Sequence, residues 1–195
     1  EKTIQEISHD QCEKTKMLRL LQGDVGSGKT IVALFAMMQC MENKKKSILM
    51  APTEILAEQH FNTIQGFISE MNIACSLITS STKDNHDFNA DIIIGTHALF
   101  QKSVNFSNIG LVVIDEQHKF GVHQRILLNE KAGNSCDILL MTATPIPRTM
   151  ELAAYGDMDI SKIKEKPKNR KDIITKSINA KKIEELKESL LKVLN

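Results

Sequence analysis

The segment LRLLQGDVGSGKTIVALFAMM (18–38) restricts the fold of this chain more than any other. An apolar run, LRLLQ, is followed by a loop with glycine at 23, 26 and 28, and then by a stretch rich in Ala, Leu and Met. The eight residues GDVGSGKT (23–30) fit the phosphate-binding pattern G-x-x-x-x-G-K-[ST], flanked by a strand before and a helix after. Gly23, Gly26 and Gly28 let backbone N–H groups wrap phosphate oxygens where side chains would clash. The N-terminus of the following helix adds its positive dipole. In this pattern Lys29 reaches the β- and γ-phosphates and the Thr30 hydroxyl ligates magnesium, with Asp24 and Ser27 completing the loop. The pattern calls for a nucleotide and leaves its use open, because kinases, GTPases and motors all carry it.

The rest of the chain repeats the strand-then-helix rhythm. Residues 47–51, 74–79, 91–96, 111–115 and 137–142 are short apolar runs, several of them continuous rather than alternating. Continuous runs suit strands buried on both faces of a parallel sheet. Helical periodicity marks 29–43, 54–70, 122–131 and 146–154. Strand-helix alternation predicts a three-layer α/β domain with a mainly parallel sheet. The Lys44–Lys46 run follows the first of these helices, where cations complement the helix dipole.

Charge divides the chain. Net charge is +1, but residues 1–161 carry 14 basic and 19 acidic side chains, whereas 162–195 carry 11 and 5. The break falls at KIKEKPKNRKD, which reads as a linker or as a basic element facing nucleic acid. Beyond it, DIITKSI (172–178) reads as a strand and the last sixteen residues as a helix striped by Ile183, Leu186, Leu190 and Leu194. One strand and one helix cannot bury that stripe. The expected division is therefore 1–165 for the main domain and 166–195 for a linker and the beginning of a second one. No apolar run approaches the roughly 18 to 20 residues that span a bilayer, so no membrane partner is expected. Cys12, Cys40, Cys75 and Cys136 lack CxxC spacing, which favours free thiols in a reducing compartment, with cytoplasm the default.

A second chemical element is LVVIDEQHKFGVHQR (111–125), an apolar strand that ends in two acids, an amide and an imidazole. In phosphate-loop enzymes a second strand ends in an acid that holds magnesium, and Asp115 is placed for it. Glu116 is the candidate general base that polarises the attacking water. The structural alternative for Asp115 is an N-cap on a following helix. His118 and His123 are five apart, which suits no metal pair on a helix, and solvated imidazoles are the simpler reading. The third element is LLMTATPIPRTM (139–150), in which Thr142, Ala143 and Thr144 end a strand. The Thr142 and Thr144 hydroxyls suit a hydrogen bond to His118 that passes on the state of the nucleotide.

Loop, DEQH and TAT in this order resemble the first RecA-like lobe of superfamily 2 helicases and translocases. The longer phrases LLQGDVGSGKT, MAPTEILAEQH, IIIGTHAL, LVVIDEQHKFGVHQR and LLMTATPIPRTMELAAYGDMDIS are similar to the RecG-type DNA helicases, over about residues 18–175. Transcription-repair coupling translocases share GDVGxGKT and TATPIPRT, but their box typically reads DEEH, and Gln117 favours the RecG type. The resemblance implies ATP and magnesium as cofactors and branched or forked DNA as partner, bound without reading sequence. It implies Gln117, His118, Thr142, Ala143 and Thr144 as the relay between ATP and DNA. Pro52-Thr53-Glu54 and Gly95-Thr96-His97 match the motifs lining the nucleic-acid path, although Thr53 and Thr96 also suit ordinary helix capping. Arg125 and Arg148 are candidates for nucleotide, DNA or simple ion-pair contacts. The family's wedge domain, its adenine-contacting Gln motif and the second lobe with its arginine finger are not found in these 195 residues. A second lobe and wedge on another chain would complete the machine. A non-enzymatic nucleotide- or DNA-binding remnant is the rival reading, and a small-molecule kinase is disfavoured by DEQH with TAT.

Overall fold

The computed structural model describes residues 1–80, 87–96, 99, 107–116, 136–144, 158–165, 175, 177, 179–180 and 183–194. Its elements run α1 (Lys2–Cys12), β1 (Leu18–Gly23), α2 (Lys29–Glu42), β2 (Lys46–Met50), α3 (Glu54–Ile68), β3 (Cys75–Ile78) and β4 (Ile92–Gly95). They continue with β5 (Ile109–Asp115), β6 (Asp137–Thr142), β7 (Asp159–Ile163) and α4 (Ile183–Leu194). The seven strands form one sheet in the order β3-β4-β2-β5-β6-β1-β7, and every pairing is parallel. Parallel neighbours need a crossover between them, which is what the spacing of the apolar runs anticipates. The expected helices at 122–131 and 146–154, with Gln117, His118, His123, Arg125 and Arg148, lie outside the described residues. So does most of the expected strand at 172–178.

Both faces of the sheet are buried, and alternation along each strand sorts its side chains between them. On one face Leu21, Leu49, Val113, Leu139 and Met141 pack with α1, α2 and α3 through Ile7, Met37, Ala57 and Ile64. On the other, Leu20, Ile48, Val112, Ile114 and Leu140 form a second cluster with Ala90 and Leu99. Two dry faces explain why these strands are continuous apolar runs rather than HPHP patterns. Order places β1, β6 and β5 side by side, so the residues at their C-terminal ends, Gly23, Thr142 and Asp115, share one rim. In parallel sheets that rim is where ligands bind.

Two elements escape the sequence reading. Residues 2–12 form α1, docked on α2 by Gln39 Nε2 donating to Ser8 O at 3.2 Å and Gln11 Nε2 donating to Ala36 O at 3.2 Å. Residues 159–163 form the edge strand β7, so Lys162 and Ile163, expected at the start of a linker, are in the sheet. The two are tied together by Arg19 on β1, which is 8% exposed. Its Nε donates to Asp10 Oδ2 at 2.6 Å and its NH1 to Ser161 Oγ at 2.9 Å, while Glu6 Oε2 accepts from Ser161 Oγ. An edge strand with the pattern DISKI has little apolar periodicity; buried polar partners hold it together with Ile160 and Ile163, which pack against the two core clusters.

Candidate functional site

The phosphate loop is built as its sequence requires. Gly26 and Gly28 adopt φ of 77° and 93°, in the left-handed region that a side chain rarely enters. At Gly23 a Cβ would stand 2.5 Å from Ser27 Oγ and 3.1 Å from Ile163 Cβ, so the close approach admits only glycine without a shift. Asp24 shapes the turn from within: its Oδ1 accepts from Val25 N at 2.8 Å and its carbonyl from Ser27 N at 3.1 Å. Lys29 Nζ folds back onto the loop, donating to Gly23 O at 2.7 Å and Asp24 O at 3.0 Å. Gly28 is the N-cap of α2 and offers no side-chain cap. The first N–H groups of a helix have no carbonyl four residues back, and those of Gly28, Lys29 and Thr30 occupy that position at the mouth of a cavity.

That cavity, of about 530 Å³, is lined by the loop, by the end of β5 and by one face of α3. Gly26, Gly28, Lys29, Thr30, Asp115, Glu116 and Ala143 all reach it. Gly23, Asp24 and Ser27 shape the loop without lining the space. The fit to phosphate and a divalent cation rests on three features: glycines without side chains, a lysine, and two adjacent carboxylates on the opposite wall. Ser27 Oγ is buried with no hydrogen-bond partner among the described residues, but it does not line the cavity.

At the end of β5 the backbone turns sharply. Glu116 has φ of 49°, uncommon for a residue with a Cβ. The turn lets consecutive carboxylates, which would point to opposite faces in a strand, line the same cavity. Asp115 Oδ1 accepts from Glu116 N at 3.0 Å. Its Oδ2 meets Nε2 of His60 at 2.8 Å, with both side chains about nine-tenths buried. Glu116 Oε1 accepts from Ala143 N at 3.3 Å, which joins the acid to the TAT segment. Within that segment the Thr142 and Thr144 hydroxyls are 2.9 Å apart, and Gln22 Nε2 donates to Thr144 O at 3.2 Å.

The two short segments assigned to a nucleic-acid path are neighbours. Met50 pairs with Gly95 across β2 and β4, and Ala51 N donates to Gly95 O at 2.8 Å. Thr53 caps α3, its hydroxyl accepting from Leu56 N at 3.3 Å, and Glu54 Oε1 accepts from both Ser80 N and Ser80 Oγ. Gly95 and Thr96 are buried, whereas Thr53 is exposed and Pro52 and Glu54 are half-buried. His97 lies outside the described residues.

The sequence reading missed α3 as a wall of the site. Leu56, His60, Thr63 and Phe67 all line the cavity, and their spacing puts them on one helix face. Ala57, Ile64 and Ile68 form the core face beside it. A signal existed: His60 and Thr63 interrupt with polar groups a face that is otherwise apolar.

A model of the DEAD/DEAH box helicase family matches residues 2–153. The chain is 49% identical over 187 residues to the ATP-dependent DNA helicase RecG of Streptococcus pneumoniae, covering 91% of this chain and 27% of that protein. It is 45% identical over 190 residues to RecG of Synechocystis, covering 93% and 23%. It thus spans about a quarter of the length of the curated relatives it matches. A solved structure of RecG bound to a three-way DNA junction superposes with a TM-score of 0.80 at 39% identity, covering 97% of this chain and 26% of that one. Saccharomyces cerevisiae Dbp5 shares the fold, with a TM-score of 0.66 at 20% identity over 83% of this chain and 47% of that one. With its phosphate loop, paired acids and TAT segment on one rim of a parallel sheet, the chain belongs to the DEAD/DEAH box helicase family, as a RecA-like first lobe similar to that of RecG.

Proposed function

We propose that this chain is the ATP-binding lobe of a RecG-like DNA helicase, which couples ATP hydrolysis to unwinding or branch migration of forked and Holliday-junction DNA. The observation that carries it is the convergence of Lys29, Thr30, Asp115, Glu116 and Ala143 on one cavity. Lys29 exchanges its loop carbonyls for β- and γ-phosphate oxygens, and the N–H groups at the start of α2 donate to the remaining phosphate oxygens. Thr30 and Asp115 would hold magnesium, which when bound neutralises charge on the transferring phosphoryl group. Glu116 orients the attacking water and takes its proton. Its hydrogen bond to Ala143 N ties that base to the Thr142–Thr144 segment, the reading's route from nucleotide to DNA. Pro52, Thr53, Glu54, Gly95, Thr96 and His97 are the residues assigned to the DNA path, where backbone N–H groups and hydroxyls would hold phosphates without reading bases.

Residues 1–165 form the lobe in this reading, and 166–195 a linker and the beginning of a second lobe. A second lobe and a wedge domain, supplied by another chain or a longer one, complete the enzyme in the bacterial cytosol. Loss of an arginine finger costs about 10³ to 10⁵ in turnover. These 195 residues by themselves therefore bind nucleotide with little hydrolysis. The test is binding of a fluorescent ATP analogue with Mg²⁺, followed by ATPase assays with and without forked DNA. Lys29→Ala removes charge-assisted hydrogen bonds worth about 1.5–3 kcal/mol, so affinity falls about tenfold to a hundredfold. Undiminished binding by that variant would defeat the reading. DNA-stimulated turnover on adding a separately expressed second lobe supports the helicase over a non-enzymatic remnant.

A further inference from the structure

The mechanism proposed above leaves one buried polar contact in the cavity unused. His60 sits on α3, whose core face, Ala57, Ile64 and Ile68, is almost completely buried against the sheet. The helix is further pinned by the Thr53 cap and by Glu54 bonding Ser80. His60 therefore projects from a rigid support. Its ring nitrogen Nε2 lies 2.8 Å from Asp115 Oδ2, and their side chains are 11% and 10% exposed. A carboxylate only accepts hydrogen bonds, so the imidazole N–H is the donor.

Among the described residues each oxygen of Asp115 then has one donor, Glu116 N on Oδ1 and His60 on Oδ2. Each also keeps a second lone pair. Two donors from two different elements fix the plane of the carboxylate. Neither the strand end nor the turn at Glu116 does this alone, because the side chain of a terminal Asp rotates about two bonds.

We propose that His60 is a positioning residue, through which α3 holds the Asp115 carboxylate in the orientation that receives the divalent cation. The inference rests on Asp115 being the metal-holding acid. Outer partners of metal-binding carboxylates typically change metal affinity about 10- to 100-fold when removed. The same helix begins with Thr53 and Glu54, so one rigid body carries both the segment assigned to DNA and the support of the metal acid.

The test compares His60→Gln with His60→Asn in this full 195-residue chain. A glutamine amide reaches about as far as Nε2 of histidine, whereas an asparagine amide stops about where Nδ1 would be. Both are polar and similar in size, so folding is not the variable; circular dichroism melts verify it. The readout is the Mg²⁺ concentration that gives half-maximal enhancement of fluorescent ATP-analogue binding, set beside binding in EDTA. For His60→Asn the Mg²⁺ midpoint is expected to rise about tenfold or more, with binding in EDTA unchanged. His60→Gln is expected to stay within about threefold of the native chain.

Equal midpoints for native and Asn chains, or an equal loss with and without Mg²⁺, overturn the inference; the second outcome marks His60 as merely structural. Asp115→Ala is run in parallel to separate the inference from its premise. A raised midpoint in Asp115→Ala together with no effect in His60→Asn refutes the role of His60 alone. No change in Asp115→Ala refutes the assignment of the metal acid itself.

Discussion

Arg19→Ala takes a buried cation away from acids that remain behind. The Arg19 side chain is 10% exposed, its direct partner Asp10 20%, and Glu6, 3.9 Å from NH1, 33%. Breaking a buried pair by deleting one partner costs about 3–5 kcal/mol, mostly for the stranded charge. Water still reaches part of Asp10 and a third of Glu6, so the expected loss is at the lower end, about 3 kcal/mol. Asp159 is 72% exposed, and solvent screens its charge. With a urea m-value of about 2 kcal/mol/M, the unfolding midpoint drops by about 1.5 M. Circular dichroism in urea on the native chain, Arg19→Ala, Asp10→Ala and the double variant gives the coupling between the two side chains. A coupling of about 2 kcal/mol is expected from a 2.6 Å contact that is mostly dry. A coupling below about 0.5 kcal/mol would refute the reasoning, because sites that do not interact add to within that margin. Ile7 and the glutamine bonds to α2 would then be what holds α1.

Further expectations concern packing, pH and thiols. At Gly95 a Cβ would overlap the Ile78 carbonyl and press on Leu99, so Gly95→Ala should cost about 1–3 kcal/mol in a urea melt; a neutral result would mean that β3 and β4 separate freely. Burial raises the Asp137 carboxyl pKa, partly offset by the Met17 N–H that it accepts. A carboxyl raised on folding binds its proton more tightly in the native state, so its contribution is present below the unfolded value near 3.9 and is lost as pH rises through the folded one. Across that window Asp137→Asn should gain in urea midpoint relative to the native chain as pH rises; a constant difference would contradict the shift. Burial pushes the Cys75 and Cys136 thiols up to about 12 and raises Cys40, whereas Cys12 is exposed. Iodoacetamide at pH 8 should therefore add one label to the folded chain and four in denaturant, counted by intact mass; rapid multiple labelling of the native chain would speak against these burials.

Much of this molecule is legible one segment at a time. Continuous apolar runs announce strands buried on both faces, because no solvent side demands alternation; β1, β2, β4, β5 and β6 were readable for that reason. The phosphate loop was readable because glycine positions and a following helix are local requirements. What was not legible depends on partners far away in sequence. β7 is held by its parallel pairing with β1 and by Arg19 meeting Ser161 across 142 residues, partners that DISKI does not reveal. The eleven residues of α1 include one buried residue, Ile7, too few for a clear stripe.

The same division runs through the site. Sequence by itself determined which groups are available: a glycine-rich loop with Lys29 and Thr30, and Asp115 with Glu116 at a strand end, for which phosphate and magnesium are the proposed ligands. These follow from local residue types and their spacing. Only the tertiary structure decided how they are held. The left-handed turn at Glu116 brings adjacent carboxylates to one cavity, Ala143 N holds one, and His60 from a helix 55 residues away holds the other. Spacing along a chain fixes which groups are available. Orientation of a carboxylate is fixed by donors, and here the one on Asp115 Oδ2 comes from another layer of the fold.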